Sequence, residues 1–356
     1  MKILYLNSDL GIPLLGTKGA AVHVRAMASA LQDAGNNVVV VTPSLTKSPW
    51  DTAEEFSVKT VHIPVNDQVK NVGLSLKGYD QSLGIVAPSL SGEIRRIVYN
   101  EQLTHNLLRK FEKDPPDFIY ERVSLYGTAG LSLASAINRP LILELNAPLS
   151  LEQAKYRKTG LGQLATEAER HLLTAADAVC VVSDVLAEFV ESLGVSENRI
   201  HTIPNGVDVT RFHEKTDTRK SNSGQRLTLG FVGGLRPWHG VEDLPDLLAR
   251  LTLDYPDLFL LIVGDGPQRE TLMRECAIRG LTNRVKITGA VEHSRIPELI
   301  HSMDVALAPY RELDHAFYFS PLKVFEYMAS GVPVVAPALG QIKDVVQHQR
   351  TGLLYE

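Results

Sequence analysis

Cysteine is scarce in this chain: 356 residues hold only 2, Cys180 in a strand-like apolar run and Cys276 in a helical one. Two thiols so far apart form no disulfide framework and need no oxidising compartment, so both read as buried and inert. Excess charge of either sign is lacking too. The net charge of −5 is spread over both halves and neither is strongly basic, which leaves no electrostatic footprint for a nucleic acid. No apolar run approaches the ~18 residues of a membrane span. Residues 1–7, MKILYLN, read as a strand, because no apolar h-region or small-residue cleavage site follows them. The expectation is a cytosolic protein, with peripheral contact to a membrane face left open. Strand-end Asp-x-Asp pairs and His/Cys clusters at metal-ligand spacing are absent, so no required metal is expected.

What is present suits two globular domains: 44% hydrophobic and 22% charged residues over this length supply two cores. Strand-like Ile3–Asn7, a glycine-bearing loop, a helix near Ala20–Ala34 and strand-like Val38–Thr42 make a βαβ unit. Strands so apolar on both faces indicate a parallel, doubly wound sheet. The loop glycines Gly11, Gly16 and Gly19 are spaced G-x4-G-x2-G, not the dinucleotide G-x-G-x-x-G. Residues 43–90 show little periodicity beyond a strand near Val58–Ile63 and are expected to form surface loops. A long helix, Ser91–Lys113, leads to Phe118–Glu121, a helix near Leu125–Ile137 and Leu141–Leu145. That strand runs into ELNAP, where alternation sends Glu144 and Asn146 to the same side at the carboxyl end of the sheet. Lys155, Tyr156, Arg157 and Lys158 form a small basic cluster, read as a solvated helix face or as a contact for an anionic lipid or phosphate. Ala178–Ser183 and Ile200–Ile203 complete the first sheet.

From His213 to Gly224 the composition turns to Lys, Thr, Asp, Asn, Ser and Gly, which reads as a linker. Domains are therefore expected at 1–212 and 225–356, joined by 213–224. The second repeats the pattern: Leu227–Val232, a helix near Val241–Leu251, Leu258–Val263, a helix after Pro267, Val285–Ile287, a helix near Ile296–Ser302 and Val305–Ala308. Gly264-Asp-Gly266-Pro267 is only half a dinucleotide fingerprint, since Arg269 stands where its third glycine belongs.

The most informative stretch is Phe319–Ala336, FSPLKVFEYMASGVPVVA. Ser320 suits an N-cap and Pro321 the first helical position, while Gly331 and Pro333 end the helix before the strand-like Val332–Ala336. A helix start aimed at the carboxyl edge of a parallel sheet suits a diphosphate, and Lys323 adds a full charge. Glu326 offers two acceptors for a sugar diol. Without a ligand in view, Lys323 and Glu326 at i and i+3 equally describe a solvated pair on an amphipathic helix.

SPLKVFEYMASGVPVV resembles the donor-site helix of retaining glycosyltransferases of family 4, in the GT-B superfamily. KGAAVHV (18–24), IPNGVDVTRF (203–212), FVGGLRPWHGVEDL (231–244), LIVGDGP (261–267), RVKITGAV (284–291) and DVALAPY (304–310) resemble that family's landmarks in the same order, from the first strand to the last residue. The resemblance implies an α/β GT-B fold of two Rossmann-like domains facing across a cleft, the N-terminal one for the acceptor and the C-terminal one for the nucleotide sugar. It implies sugar transfer with retention of configuration, the nucleotide sugar being a substrate with no further cofactor. Donor contacts are implied at Gly19, Gly233, Gly234, Gly264, Gly289, Val291, Tyr318, Ser320, Leu322 and Glu326. Catalytic roles fall on Arg236, His239, Asn146 and Lys323.

The chain departs from the family pattern in four places. Gly234 and His239 stand where the resemblance implies an arginine and a lysine, Asn146 where it implies a histidine, and Tyr318 where it implies the first acid of E-x7-E. Arg236 can replace the lost arginine, a bound diphosphate favours protonated His239, and Arg236 with His239 beside Trp238 also fits a cation–π turn. Asn146 keeps hydrogen bonding but not proton transfer. These losses leave two alternatives to a transferase acting on an acceptor sugar, lipid or small molecule: a catalytically impaired scaffold subunit, or a nucleotide-sugar epimerase. The sequence stops at TGLLYE where the resembling enzymes continue through further helices, so a truncated or partner-completed form with freer domains is expected.

Overall fold

The computed structural model describes residues 1–46, 56–82, 84, 90–157, 159–213 and 226–356. Lys158 and nearly all of the expected linker lie outside them. These residues divide into two compact units, Met1–Pro204 and Asn205–Glu356.

The first unit is built on β1 (Lys2–Asn7), α1 (Gly19–Asp33), β2 (Asn37–Thr42), β3 (Lys59–His62), α2 (Asp67–Ser82), α3 (Leu90–Phe111), β4 (Phe118–Arg122), α4 (Ala129–Ile137), β5 (Leu141–Leu145), α5 (Leu149–Glu152), α6 (Gly162–Ala175), β6 (Ala178–Val181), α7 (Asp184–Ser192) and β7 (Ile200–Thr202). Its strands lie in the order β3-β2-β1-β4-β5-β6-β7, and every pairing is parallel. Ile3, Tyr5, Val38 and Val40 pack with Val24 and Ala28 of α1 on one face. α2 corrects the expectation of loops over 43–90. Its apolar signal is weak because Val69 and Asp80 are its only buried residues, while Asn66 Oδ1 accepts the Val69 N–H at 2.9 Å and opens the helix.

The second unit begins with α8 (Val209–Phe212), followed by β8 (Thr228–Val232), α9 (Leu244–Leu251), β9 (Phe259–Val263), α10 (Arg269–Ile278), β10 (Val285–Ile287), α11 (Ile296–His301), β11 (Val305–Leu307), α12 (Leu322–Ala329), β12 (Val334–Pro337), α13 (Ile342–Val345) and β13 (Gly352–Tyr355). The strand order is β10-β9-β8-β11-β12-β13, again parallel throughout. The sequence expectation ends the first domain at residue 212; the division falls at Pro204/Asn205, and Phe212 lies in the second unit's core against Ile300, Tyr327 and their neighbours.

Both sheets reverse direction of winding once, between β1 and β4 and between β8 and β11. In doubly wound sheets ligands bind at this switch point, beyond the carboxyl ends of the strands. In the second unit the turn after β8 and the 308–321 loop before α12 leave from that point, so the topology itself delivers the helix of interest there.

Candidate active site

α12 is shorter and differently capped than the sequence implies. Pro321 stands at the N-cap, with φ −81° and ψ 96°, and Leu322 is the first helical residue. Ser320 does not cap it: its hydroxyl donates to Gln341 Oε1 at 2.6 Å and accepts the Asn205 N–H at 3.0 Å, while Asn205 Nδ2 donates to the Ser320 carbonyl at 2.9 Å. These bonds fasten the loop entering the helix. Inside the helix, Tyr327 is fully buried and its hydroxyl accepts the Val232 N–H at 2.7 Å, the last amide of β8. Gly331, at φ +67°, ends the helix as expected.

The tie to Val232 brings Lys323 against the turn that follows β8. Lys323 is 8% exposed. Its ammonium lies 4.3 Å from the Phe231 ring centre and 4.8 Å from that of Tyr310, and among the described residues Nζ has no hydrogen-bond partner. Burial pushes its pKa down to about 7, against a smaller upward pull from Glu326. The solvated Lys323–Glu326 pair that an amphipathic helix allows is thus not what forms. A Cβ on Gly233, which holds φ +140°, would meet Lys323 Nζ at 3.1 Å. The ammonium therefore sits on the bare backbone of the glycine turn.

That turn is backbone packed on backbone. Gly233 N–H donates to the Val263 carbonyl at 2.9 Å, Leu235 N–H to the Asp265 carbonyl at 3.0 Å, and Gly264 pairs with Gly289 in an isolated antiparallel bridge. Gly264 has φ +141°, and a Cβ there would lie 2.0 Å from the Gly233 carbonyl oxygen, so only glycine fits. Gly233, Gly234, Gly264 and Gly289 are accordingly gathered by these pairings at the ends of β8, β9 and β10, while Val291 packs against the core that holds Phe212 and Tyr327. Tyr318 is buried, 5% exposed, with its ring stacked on His315 at 5.2 Å.

His239 is expected to be protonated only beside a bound diphosphate, and without one it is held neutral. Its Nδ1 donates to the Gly234 carbonyl at 2.5 Å, and its ring meets Tyr310 edge-on at 5.5 Å. Burial first, then the neighbouring Lys323 charge, hold its pKa down to about 3. The ring is neutral near pH 7, with Nε2 as a bare acceptor, and does not replace the missing lysine in the unliganded protein. Arg236 is exposed, its guanidinium 5.9 Å from the Trp238 ring centre, at the outer limit of a cation–π contact. The buried cation comes from α12 instead.

Glu326 lies one turn beyond Lys323 and is also sheltered, with its side chain 12% exposed and Oε1 3.5 Å from His293 Nε2. Neither His293 nor Tyr327 is legible in the sequence as a site residue.

In the first unit, Asn146 and Glu144 do share a side, as alternation implies: Asn146 Nδ2 donates to Glu144 Oε1 at 2.5 Å. Glu144 is buried and also accepts from Arg122 Nη1 at 2.6 Å and the Tyr120 hydroxyl at 3.0 Å, with His23 Nε2 at 2.9 Å. Burial alone would raise its pKa, but His23, Arg122 and Asn146 outweigh it and hold the carboxyl well below the usual range. With its amide nitrogen engaged, Asn146 presents its oxygen as an acceptor. Gly19 opens α1 without a side-chain cap. Cys180 and Cys276 are buried free thiols, as expected, and burial pushes the former up to about 11.

Two parallel doubly wound units, one with a buried cation and a carboxylate on a helix at its switch point, place the chain among the doubly wound α/β proteins. Comparison with known families makes this specific. Residues 17–211 match the profile described as Glycosyltransferase Family 4 and residues 226–356 that described as Glycosyl transferases group 1. The chain belongs to glycosyltransferase family 4, and it is a glycosyltransferase of GT-B architecture. It is 23% identical over 354 residues to a glycogen synthase of Mycobacterium tuberculosis, covering 99% of this chain and 82% of that one. It is 27% identical over 350 residues to a GDP-mannose-dependent alpha-mannosyltransferase of Mycolicibacterium smegmatis, covering 96% and 82%. Among solved structures, HepE of Anabaena in complex with UDP-glucose superposes with a TM-score of 0.69 at 21% identity, over 100% of this chain and 85% of that one. No helix among the described residues is long and apolar enough to cross a membrane.

Proposed function

We propose that this protein transfers a sugar, with retention of anomeric configuration, from a nucleoside-diphosphate sugar to a hydroxyl of an acceptor. The observation that carries this reading is Lys323, a buried ammonium without a hydrogen-bond partner among the described residues, set on the glycine turn with Glu326 one helical turn away. A cation so placed is unsatisfied until an anion arrives, and a departing diphosphate is such an anion. Family members whose names specify GDP-mannose and a structural neighbour holding UDP-glucose support a donor of this class.

Each group has a role in the reading. Lys323, taking over from the arginine and lysine replaced here by Gly234 and His239, neutralises charge on the leaving diphosphate. Glu326 accepts two hydrogen bonds from the ribose diol. The glycine backbones of 233, 234 and 264 allow close approach of the phosphates. The reading assigns departure and attack to one face of the sugar within a single ion-paired complex, as the family resemblance implies.

Thermal unfolding with UDP, GDP and ADP identifies the base, because a nucleotide at 100 times its Kd raises stability by about 2.7 kcal/mol. Incubation of the matching nucleotide sugars with candidate acceptors, followed by NMR of the anomeric proton, then tests transfer and retention. Stabilisation by none of the three removes the reading. The neutral His239 and exposed Arg236 favour a second one, a scaffold subunit weak in catalysis; it predicts nucleotide binding without turnover until a partner protein is added.

A further inference from the structure

Beside the carboxylate on α12 stands a histidine with no role in the reading above. His293 opens a short 3-10 turn, His293–Arg295, ahead of α11. Its side chain is 11% exposed, its Nε2 lies 3.5 Å from Glu326 Oε1, and its ring meets the Phe212 ring near edge-on, centres 6.2 Å apart. A carboxylate only accepts, so Nε2 carries the proton toward Glu326, and in the neutral ring Nδ1 is then an acceptor. That Nδ1 is buried and, among the described residues, has no partner. Buried polar atoms left without a partner are uncommon and call for a reason.

We propose that His293 is the positioning residue for Glu326 and thereby sets the enzyme's preference for a ribonucleotide over a 2′-deoxyribonucleotide. The proposal rests on Glu326 being the ribose ligand. A glutamate on a helix turns freely about its last side-chain bond, and two parallel hydrogen bonds to a diol demand one orientation of the carboxylate plane. A donor fixed on Oε1 supplies it, leaving Oε2 and the remaining lone pair of Oε1 for the two hydroxyls. The 3.5 Å separation is long for such a bond, as is common in a site without its ligand, and closes on binding. His293 itself cannot slide away, because Phe212 blocks the ring on one side, and the Phe212 carbonyl is 3.1 Å from His301 Nε2 of α11. Nδ1 is left to accept a hydrogen bond from a water and makes no contact with the nucleoside. His293 touches the ribose only through Glu326, so its effect should appear as discrimination between sugars of the nucleotide and not as general affinity.

The test uses the full chain and whichever of UDP, GDP or ADP binds it, each against its 2′-deoxy counterpart, by calorimetry with wild type, His293→Ala and His293→Gln. Wild type should prefer the ribonucleotide by about tenfold or more, the worth of one charge-assisted hydrogen bond. His293→Ala should lose about tenfold in ribonucleotide affinity, leave the deoxy form nearly unchanged, and so collapse the ratio. His293→Gln, whose side-chain amide still donates, should restore most of it. An unchanged ratio in His293→Ala overturns the proposal, as does an equal loss for both nucleotides, which would mark a purely structural histidine. Failure of wild type to bind any of the nucleotides removes the donor reading itself. Wild-type binding without discrimination removes Glu326 as ribose ligand and the role of His293 with it.

Discussion

Replacing Lys323 by methionine should stabilise the protein while weakening its hold on the nucleotide. Each pKa unit is worth about 1.36 kcal/mol. A lysine lowered from 10.5 to about 7 therefore means that keeping this ammonium charged in the fold costs on the order of 5 kcal/mol. The direction with pH follows from proton counts. Between pH 7 and 10.5 the unfolded chain holds the proton and the folded chain has shed it, so wild-type stability rises with pH across that window. Below 7 both states are charged and the full cost is present. Methionine matches the lysine stem in length and suits a wall made by Phe231 and Tyr310. Urea unfolding at pH 6, 8 and 10 should show Lys323→Met ahead of wild type by several kcal/mol at pH 6, with the gap shrinking as pH rises. In parallel, affinity for the preferred nucleoside diphosphate should fall by roughly ten- to a hundredfold, since charge-assisted bonds are worth about 1.5–3 kcal/mol. A variant no more stable than wild type at pH 6 would refute the buried, unsatisfied ammonium. One that gains stability yet keeps its nucleotide affinity would refute the diphosphate role alone.

Glu326→Ala should raise the donor KM and weaken nucleotide binding by about 1.5–3 kcal/mol for each bond lost from the diol; unchanged donor affinity sinks the ribose assignment. His239 should titrate near pH 3, not near its ordinary 6.5, so that stability declines as acidification passes through that interval while the pH–rate profile near neutrality owes nothing to this ring; an NMR midpoint close to 6.5 in the free protein would contradict it. Glu144→Gln should destabilise the first unit by about 3–5 kcal/mol, because Arg122 loses its buried counter-charge. Wild type carries this contribution above pH 4.5 and loses it as the pH falls further, so an acid-unfolding midpoint identical in the variant would argue against the network.

Architecture was legible where local pattern and tertiary outcome coincide. Val38 to Val41 are apolar on both faces because helices cover both faces of their sheet, and that pattern survives in any single sequence. α2 was missed because it lies on the surface and buries only Val69 and Asp80, so no apolar stripe marks it. Family likeness located Lys323 and Glu326, yet their environment depends on residues remote in the chain. Ser320 is drawn from the cap by Asn205 and Gln341. His239 is neutral because Phe231, Tyr310 and Lys323 converge on it. His293 reaches Glu326 across 33 residues. Distances of that kind carry no periodicity, so spacing rules are blind to them.

The contact between the two glycine turns has an evolutionary corollary. With the Gly233 carbonyl 2.0 Å from where a Gly264 side chain would begin, drift at Gly264 is closed off by sterics, whatever donor the enzyme uses. Descendants acquiring a new donor must therefore diversify around a fixed floor, through side chains such as those at 291 and 318. Libraries built to change donor choice should leave the floor alone and concentrate their diversity there.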